Sequence, residues 1–595
     1  MGVCVMKRVV AVLLTMALSL SMFTMVSGTA GSGEVFTGSA IGHGGTMTVE
    51  VVVNNGDIVS IDVVSHDETF MFYERAFDRV ITSVLEDGNL NVDIVTGATL
   101  SFMAVRMAIM QALDAAGIDT RAMMIPAPAH TPQTIELEAD LVIVGGGGAG
   151  LAAAVTAAEM GASSIVIEKQ SMLGGNTIIA GGAINIVNPA FQEPLGIEDS
   201  IGLHFQHTFY GGGAIANREL VRIMVENALD GFHWLMDDLG LEFRPTVSAA
   251  VGALFPRSHT PVMPIGTGYI YVFERFIDRP DADIEVLLDT RAHEFIMEDG
   301  RVVGVLATGR NGDEYIIRAN NGVINAAGGF GANVEMRLHY CELWDGRLDN
   351  NIPTTNFPSI VGDGIVMAQA IGADVVDMGY VQLLPIGDPQ TGSLSGTVSI
   401  MVEHYIQVNE QGERFIREDG RRDDIIAALF AQSNSTNYLI LDSRNWPTGA
   451  ETGTFGESID NLVYYGRVHR ADTIAELAVM VGMDPDVLQK TVDDFNAMVD
   501  GDMDCPFGRT VFGERIEVAP FLANRRVPSV HHTMGGVVID RYARVIGVDG
   551  NIIPGFYAAG EVTGGIHGQN RLGANALTDI IVFGRIAGES AVLGR

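Results

Sequence analysis

The segment Ala139-Asp140-Leu141-Val142-Ile143-Val144 runs directly into Gly145-Gly146-Gly147-Gly148-Ala149-Gly150, and then into the helix-forming stretch Leu151 to Met160. A short apolar run rich in β-branched residues predicts a buried strand, and the glycines after it predict a tight turn. A second such strand, Ser164-Ile165-Val166-Ile167, ends at Glu168, eighteen residues after Gly150. Strand, glycine turn, helix, strand and terminal acid together make the fingerprint of a dinucleotide-binding βαβ unit. Gly145 then makes the turn, Gly147 lets a pyrophosphate approach the backbone, and Gly150 lets the helix lie against the strand. The pyrophosphate rests on the helix N-terminus, and Glu168 accepts from a ribose hydroxyl. A glycine turn without a ligand is the alternative, and the flanking elements argue against it. FAD and NAD share this fingerprint, so the cofactor has to be decided elsewhere.

At 595 residues the chain exceeds one ordinary core, and three or four domains are expected. Its composition, 47% hydrophobic and 18% charged, is that of a globular chain rather than a disordered one. A formal charge of −37 argues against nucleic acid as a partner, because phosphate would be repelled. Anionic ligands must then be drawn in by local positive charge such as Arg571. The cysteines are Cys4, Cys341 and Cys505, with no C-x-x-C-H and no zinc spacing. Cys341 and Cys505 either form a disulfide or stay as two buried thiols. Residues 1–30 read as an export signal: Lys7 and Arg8 precede an apolar stretch from Val9 to Val26, and Ser27-Gly28-Thr29-Ala30 offers a cleavage site. An uncleaved membrane anchor is the alternative. The expected location is periplasmic, extracellular or on the cell surface.

Residues 35–118 read as a first small unit. Met47 to Val53 and Ile58 to Val64 are β-branched runs flanking Asn54-Asn55-Gly56-Asp57, which predicts a hairpin. Met103 to Ala115 has helical apolar spacing, with Arg106 and Gln111 on the other face. A linker over 119–135 contains Ile125-Pro126-Ala127-Pro128-Ala129-His130-Thr131-Pro132 and marks a boundary.

Near the C-terminus stand His531-His532-Thr533-Met534-Gly535-Gly536, Ala559-Gly560-Glu561-Val562-Thr563-Gly564-Gly565 and Gly568-Gln569-Asn570-Arg571-Leu572-Gly573-Ala574-Asn575. An arginine fork, an imidazole and glycine turns suit a small carboxylate held beside a flavin. This block resembles the C-terminal signature of the soluble fumarate reductase and urocanate reductase flavoproteins. Gly174-Gly175-Asn176-Thr177, Ala180-Gly181-Gly182 and Ala326-Ala327-Gly328-Gly329-Phe330-Gly331 likewise resemble FAD contacts of that family. The resemblance implies non-covalent FAD, held by Gly145, Gly147, Ala149, Gly150, Glu168, Lys169, Gly174, Gly175, Asn176, Thr177, Gly181, Gly182, Gly328, Gly329, Asp363, Glu561, Asn575, Ala576 and Leu577. It also implies an α/β fold: a Rossmann-like FAD-binding domain over 136–379 and 531–595, an inserted α+β capping domain over 380–530, and a small α+β FMN-binding domain in front.

Asp93-Ile94-Val95-Thr96-Gly97-Ala98-Thr99-Leu100-Ser101 resembles the segment where flavin transferases attach FMN in exported FMN-binding domains. By that resemblance Thr99 carries covalent FMN through a phosphoester. The alternative is a strand-to-helix turn with a threonine N-cap.

For substrate chemistry, His531 and Arg571 match the family's carboxylate-binding pair. Val408-Asn409 and Gly412-Glu413-Arg414-Phe415 bring Arg422 onto the family's proton-donating arginine. The pattern also departs from the family. Leu384, in Val381-Gln382-Leu383-Leu384-Pro385, stands where fumarate reductases place a histidine. The stretch Thr397-Val398-Ser399-Ile400-Met401 keeps the threonine but loses a glutamate and an arginine. Thr397 stays as a substrate candidate, and Glu403 or Glu418 is expected to replace the lost proton relay. A dicarboxylate would leave one carboxylate unpaired, at a cost of several kcal/mol. The resemblance therefore implies an exported reductase moving hydride from FAD to the C=C bond of a cinnamate-, urocanate- or acrylate-like monocarboxylate. Electrons would come through FMN from a membrane donor in anaerobic respiration. Fumarate reduction with a rebuilt clamp, a related steroid dehydrogenase and a non-catalytic flavin electron carrier are the alternatives.

Overall fold

The computed structural model describes residues 33–95, 97–126, 130–341 and 343–595. The leader-like segment 1–30, with Cys4, lies outside those residues, as do Thr96 and positions 127–129 of the linker. Apart from two short pieces, the chain divides into one compact unit before residue 128 and a larger one after it.

The smaller unit has a three-stranded antiparallel sheet with Thr46–Asn54 in the middle. Its hairpin partner Asp57–Ser65 follows Asn55-Gly56, whose φ values of +51° and +91° suit a tight hairpin turn. On the other edge Glu34–Ile41 completes the sheet. The helix Thr99–Ala115 presses onto that edge so closely that a Cβ on Gly38 would meet the Ala108 carbonyl at 2.0 Å. This helix starts at Thr99 rather than at Met103. A second helix, Tyr73–Asp87, buries Ala76, Phe77, Val80 and Val84 along one face.

In the larger unit Thr134–Val144 is a central strand of an eight-stranded sheet. It pairs in parallel with Ser164–Ile167 on one side and with Glu314–Asn325 on the other. Ser164–Ile167 pairs in parallel with Ile284–Leu287, and Ile552–Ala558 joins Glu314–Asn325. The helix Gly148–Glu159 follows the glycine turn, where Gly145 has φ +108°. A Cβ on Gly150 would meet the Gly145 carbonyl at 2.0 Å, so helix and strand approach as only glycine permits. The last helix, Asn575–Leu593, crosses Gly148–Glu159 on small residues. Cβ atoms on Gly584 and Gly588 would meet the carbonyls of Ala149 and Ala153 at 2.6 and 2.5 Å. That close crossing fixes the start of the last helix beside the glycine turn.

Within the region expected as a cap, Val381–Gly387 and Asn437–Asp442 both pair antiparallel with Phe521–Thr533 in a five-stranded sheet. The long strand Phe521–Thr533 runs through the 530/531 boundary drawn from the sequence. Its register with Val381–Gly387 shifts between Gln382 and Leu383, whose partners are His532 and Val530. His531 sits opposite that irregularity, a common device for re-aiming one side chain. Cys341 and Cys505 are both free thiols. No helix among the described residues is long and apolar enough to cross a membrane.

Two glycine substitutions separate folding from ligand access. Gly150→Ala is expected to destabilise the protein by about 1–3 kcal/mol through overpacking. Gly147→Ala, whose Cβ meets nothing nearer than the Gly174 carbonyl at 3.9 Å, should leave the fold intact and lower FAD content. Thermal melts together with flavin-to-protein absorbance ratios check both.

Candidate active site

The helix Gly148–Glu159 begins at Gly147, which has no side chain to cap it, and Gly147, Gly148 and Ala149 line an open cavity. The floor of that cavity is bare backbone. Added Cβ atoms on Gly175 and Gly328 would meet nothing nearer than 3.5 and 3.6 Å. Gly145, Ala149, Asn176 and Thr177 line the same space. The Thr177 hydroxyl accepts from Gly148 N at 3.2 Å, and the Asn176 amide donates to Asn356 Oδ1 at 2.6 Å. Glu168 lines the cavity too, and its carboxylate accepts from the backbone N–H groups of Gly146 and Gln170, both at 2.8 Å. Burial raises its pKa above the ordinary carboxylate value. At the same end Lys169 pairs with Asp363 at 2.7 Å, and Arg291 binds the second Asp363 oxygen at 2.8 Å. A capless helix N-terminus, an open glycine floor and a buried carboxylate fit a dinucleotide.

Other expected cofactor residues act one step back. Gly174 N donates to the Gly146 carbonyl at 2.8 Å and holds the turn. Gly329 leaves room for Thr533 and Glu561, since its Cβ would meet Thr533 Oγ1 at 2.1 Å. Glu561 itself lines the cavity and accepts from Thr533 N at 2.9 Å. Asn575 is not among the lining residues. Its side chain is engaged by Asn185, Thr208 and His204, at 2.8, 3.0 and 3.2 Å. Ala576 and Leu577, the next residues of the last helix, do reach the cavity.

A second, smaller cavity of ≈ 70 Å³ adjoins the first, and Ala180, Leu394, His531, Arg571, Ala576 and Leu577 line both. Arg422 joins it, together with Gly181, Gly182, Leu384, Ile386, Ile400 and Phe455. The three residues singled out for catalysis therefore converge on one space. Thr397 does not: its hydroxyl donates to the Ile386 carbonyl at 3.1 Å, and it is absent from the lining.

Each polar group is held by a partner that leaves an edge free. Arg422 opens the helix Arg422–Phe430; its Nε donates to the Val251 carbonyl at 3.0 Å and its Nη1 to Gln382 Oε1 at 2.9 Å. Burial, then the charge of Arg571, push its pKa well down. A helix N-terminus adds to that effect, because it disfavours a cation. Arg571 gives Nη1 to the Leu572 carbonyl at 3.0 Å, while its buried Nε has no partner among the described residues. Its pKa falls to about 10 through burial, against the pull of Glu561 and Asp579, so it stays charged at neutral pH. His531 Nδ1 lies 2.8 Å from the Thr355 hydroxyl, which orients the ring and leaves Nε2 for a ligand. Burial and the two arginines hold its pKa well below the usual value, so the ring is neutral.

Gln382 was missed as a functional residue in the sequence. Its amide donates to Arg571 O at 2.8 Å and Asn570 Oδ1 at 3.1 Å while its oxygen holds Arg422. The available signal was a glutamine within a strand that is otherwise apolar. Ile400 stands in the Thr397–Met401 stretch already read as having lost its charges, whereas Phe455 carried no signal. Of the relay candidates, Glu418 is locked at 0% exposure between Arg414, at 2.7 Å, and Arg509, at 3.1 Å. Both cations hold its pKa below the ordinary value against the effect of burial. Glu403 accepts from Ala249 N, at 2.7 Å, and burial raises its pKa.

Comparison with known proteins agrees with this arrangement. Residues 140–577 match the FAD binding domain family, and residues 42–114 match the FMN-binding domain family. The chain is 37% identical to an NADH:acrylate oxidoreductase of Vibrio harveyi over 94% of its length, and spans 61% of that relative. It is 36% identical to a urocanate reductase of Eggerthella lenta, covering 95% of this chain and 93% of the relative. Its structure matches the open form of a flavocytochrome c3 fumarate reductase, with a TM-score of 0.60, 32% identity, and coverage of 77% of this chain and 78% of that one. The chain thus belongs to the FAD-binding flavoprotein family of the fumarate and urocanate reductases, and it carries an FMN-binding domain ahead of the FAD-binding one.

Proposed function

We propose that the protein is an exported reductase that saturates the C=C bond of a small α,β-unsaturated monocarboxylate. The observation that carries the reading is that Arg422, His531 and Arg571 meet on one cavity sharing a wall with the dinucleotide cavity. Reduced FAD, when bound, supplies a hydride for the β-carbon. Arg571 and neutral His531 hold the substrate carboxylate and stabilise the negative charge that grows on it as the enolate forms. The apolar wall keeps water out, which strengthens both contacts. Arg422 donates the proton to the α-carbon.

Wall chemistry and size narrow the substrate. Apart from Arg422, His531 and Arg571 the cavity is lined by apolar residues, Leu384, Ile386, Leu394, Ile400 and Phe455 among them, so a second carboxylate would be buried unpaired, at a cost of several kcal/mol. An apolar cavity of roughly 150 Å³ admits benzene, and the ≈ 70 Å³ here is about half of that. Acrylate or a short alkyl derivative therefore fits better than cinnamate or urocanate. Relatives named for acrylate and for urocanate, both monocarboxylates, are similar to the chain at 37% and 36% identity.

Electrons would reach FAD through FMN on Thr99, loaded by a flavin transferase and reduced by a membrane donor in anaerobic respiration. Thr99 is exposed and begins a helix whose N-cap, Ala98, makes no side-chain hydrogen bond. A phosphate on its hydroxyl would meet free N–H groups and the positive end of the helix. The threonine N-cap alternative is not what forms, since Thr99 lies inside the helix rather than capping it.

Three measurements check this. Anaerobic reoxidation of the dithionite-reduced protein should be rapid with acrylate and slow with fumarate or cinnamate; equal rates with fumarate would sink the monocarboxylate reading. Arg571→Gln should cost about 2–5 kcal/mol of transition-state stabilisation, read as kcat/KM. After denaturation, flavin phosphate should stay with the wild-type chain and be released from Thr99→Ala, as mass spectrometry of the intact chain would show.

A further inference from the structure

Most of the apolar lining of the small cavity is coupled to the groups that hold its charges. Leu384 and Ile386 stand on Val381–Gly387, the strand that also carries Gln382 between the two arginines. The Ile400 carbonyl accepts from Val251 N at 2.8 Å, and the Val251 carbonyl in turn holds Arg422 Nε at 3.0 Å. A change of size at any of these three positions therefore disturbs a support of the charged residues. Phe455, the largest apolar side chain of the lining, is the exception.

Its backbone forms a turn that is anchored independently of the ring. Gly456 N donates to the Gly453 carbonyl at 3.1 Å, which closes a β-turn with Phe455 as its third residue. Gly456, with φ +83°, takes the fourth position that such turns favour for glycine. Gly453 N donates to the Glu457 carbonyl at 2.9 Å. The turn lies on residues 397–398: Thr454 N donates to the Val398 carbonyl at 3.0 Å, and a Cβ on Gly453 would meet that same oxygen at 3.0 Å. The Glu457 carboxylate adds a second tie, accepting from Gly396 N and pairing with Arg467 at 2.9 Å. Among the described residues, no hydrogen bond of the turn goes to Gln382, Val251 or Thr355, the supports of Arg422 and His531. From the turn the ring reaches Gly181, where an added Cβ would stand 2.6 Å from Ile400 Cδ1 and 3.9 Å from Phe455 Cζ. The tip of the ring thus lies against bare backbone.

We propose that Phe455 sets how large a group the substrate can carry on its β-carbon, an inference that rests on the reductase reading above. His531 and Arg571 line both cavities, whereas Phe455 lines the smaller one alone. A carboxylate held by those two residues leaves the other end of the acid to the apolar lining, of which Phe455 is the bulkiest member. With the ring in place the cavity measures ≈ 70 Å³, about half of the roughly 150 Å³ that admits benzene. Removing the ring vacates the volume of one phenyl group, which is the group that distinguishes cinnamate from acrylate. The anchors of the turn do not involve the ring, so the vacated space stays open instead of collapsing. Selectivity for the β-substituent therefore changes while the carboxylate-binding and proton-donating groups keep their supports.

The test compares wild type, Phe455→Ala, Phe455→Leu and Leu394→Ala, each loaded with FAD and reduced by dithionite, in anaerobic reoxidation by acrylate, crotonate and cinnamate. A second readout needs no turnover: binding of 3-phenylpropanoate, which has no C=C bond to reduce, followed by the absorbance of the oxidised flavin. In Phe455→Ala the cinnamate-to-acrylate ratio of second-order rate constants should rise roughly 10²-fold, the scale on which a hydrophobic pocket discriminates by size. Phe455→Leu should fall between, and 3-phenylpropanoate should bind Phe455→Ala more tightly than wild type. Should Phe455→Ala fail to hold FAD, Phe455→Leu carries the same comparison with crotonate in place of cinnamate. Unchanged ratios in the flavin-replete variants, equal losses with all three acids, or a gain of cinnamate in Leu394→Ala alone would each overturn the assignment and leave the function standing. So would a wild type that cinnamate reoxidises as fast as acrylate. A flavin-replete wild type that none of the three acids reoxidises would overturn the function and the assignment with it.

Discussion

Two buried guanidinium groups face one small cavity, and among the described residues neither donates to a carboxylate. What holds them is a neutral amide. Gln382 accepts from Arg422 and donates to the backbone of Arg571, so the two cations are tied to each other without being neutralised. A carboxylate at that point would have formed an internal ion pair and cancelled the field. With glutamine, the charge of Arg571 presses on Arg422 and His531, and an anionic ligand relieves the strain. The stored desolvation cost is several kcal/mol per ion, enough to make carboxylate binding the natural way to complete the site. Because the chain as a whole carries −37, that local positive field does the attracting.

The scaffold exists to place those groups. His531 and Gln382 come together because the long strand Phe521–Thr533 pairs with Val381–Gly387 and slips in register between Gln382 and Leu383. Arg571 and Leu577 arrive from the last helix and the loop before it, and that helix is seated on Gly148–Glu159 by Gly584 and Gly588. Arg422 is pinned from a third direction: its stem lies where a Cβ on Gly252 would be, 2.6 Å from its Cγ. Three separate segments therefore set the distances among the reacting groups, and the apolar residues between them set the size of the space.

Much of this was legible in the chain, for a local reason. The glycine turn, the two parallel strands and the helix between them follow from steric rules within about thirty residues, so Gly145, Gly147, Gly150 and Glu168 could be assigned roles before any packing was known. The Asn55-Gly56 hairpin was legible for the same reason, because positive φ at consecutive residues leaves few choices. His531, Arg571 and Arg422 were legible through resemblance. Thr397 and Asn575 were drawn in by the same resemblance, and packing directs their side chains to Ile386 and to the Asn185–Thr208 pair. The helix Tyr73–Asp87 and the edge strand Glu34–Ile41 were overlooked, although the former has a clear apolar face.

What the sequence by itself determined is therefore the dinucleotide fold, the hairpin and the identity of the charged groups, since each depends on neighbouring residues or on side-chain chemistry alone. The tertiary structure decided that Gln382 bridges the two arginines and that Leu384, Ile400 and Phe455 line the cavity beside them. Those relations join residues tens to hundreds of positions apart. They depend on strand register and helix crossing, which no local rule of backbone geometry can encode.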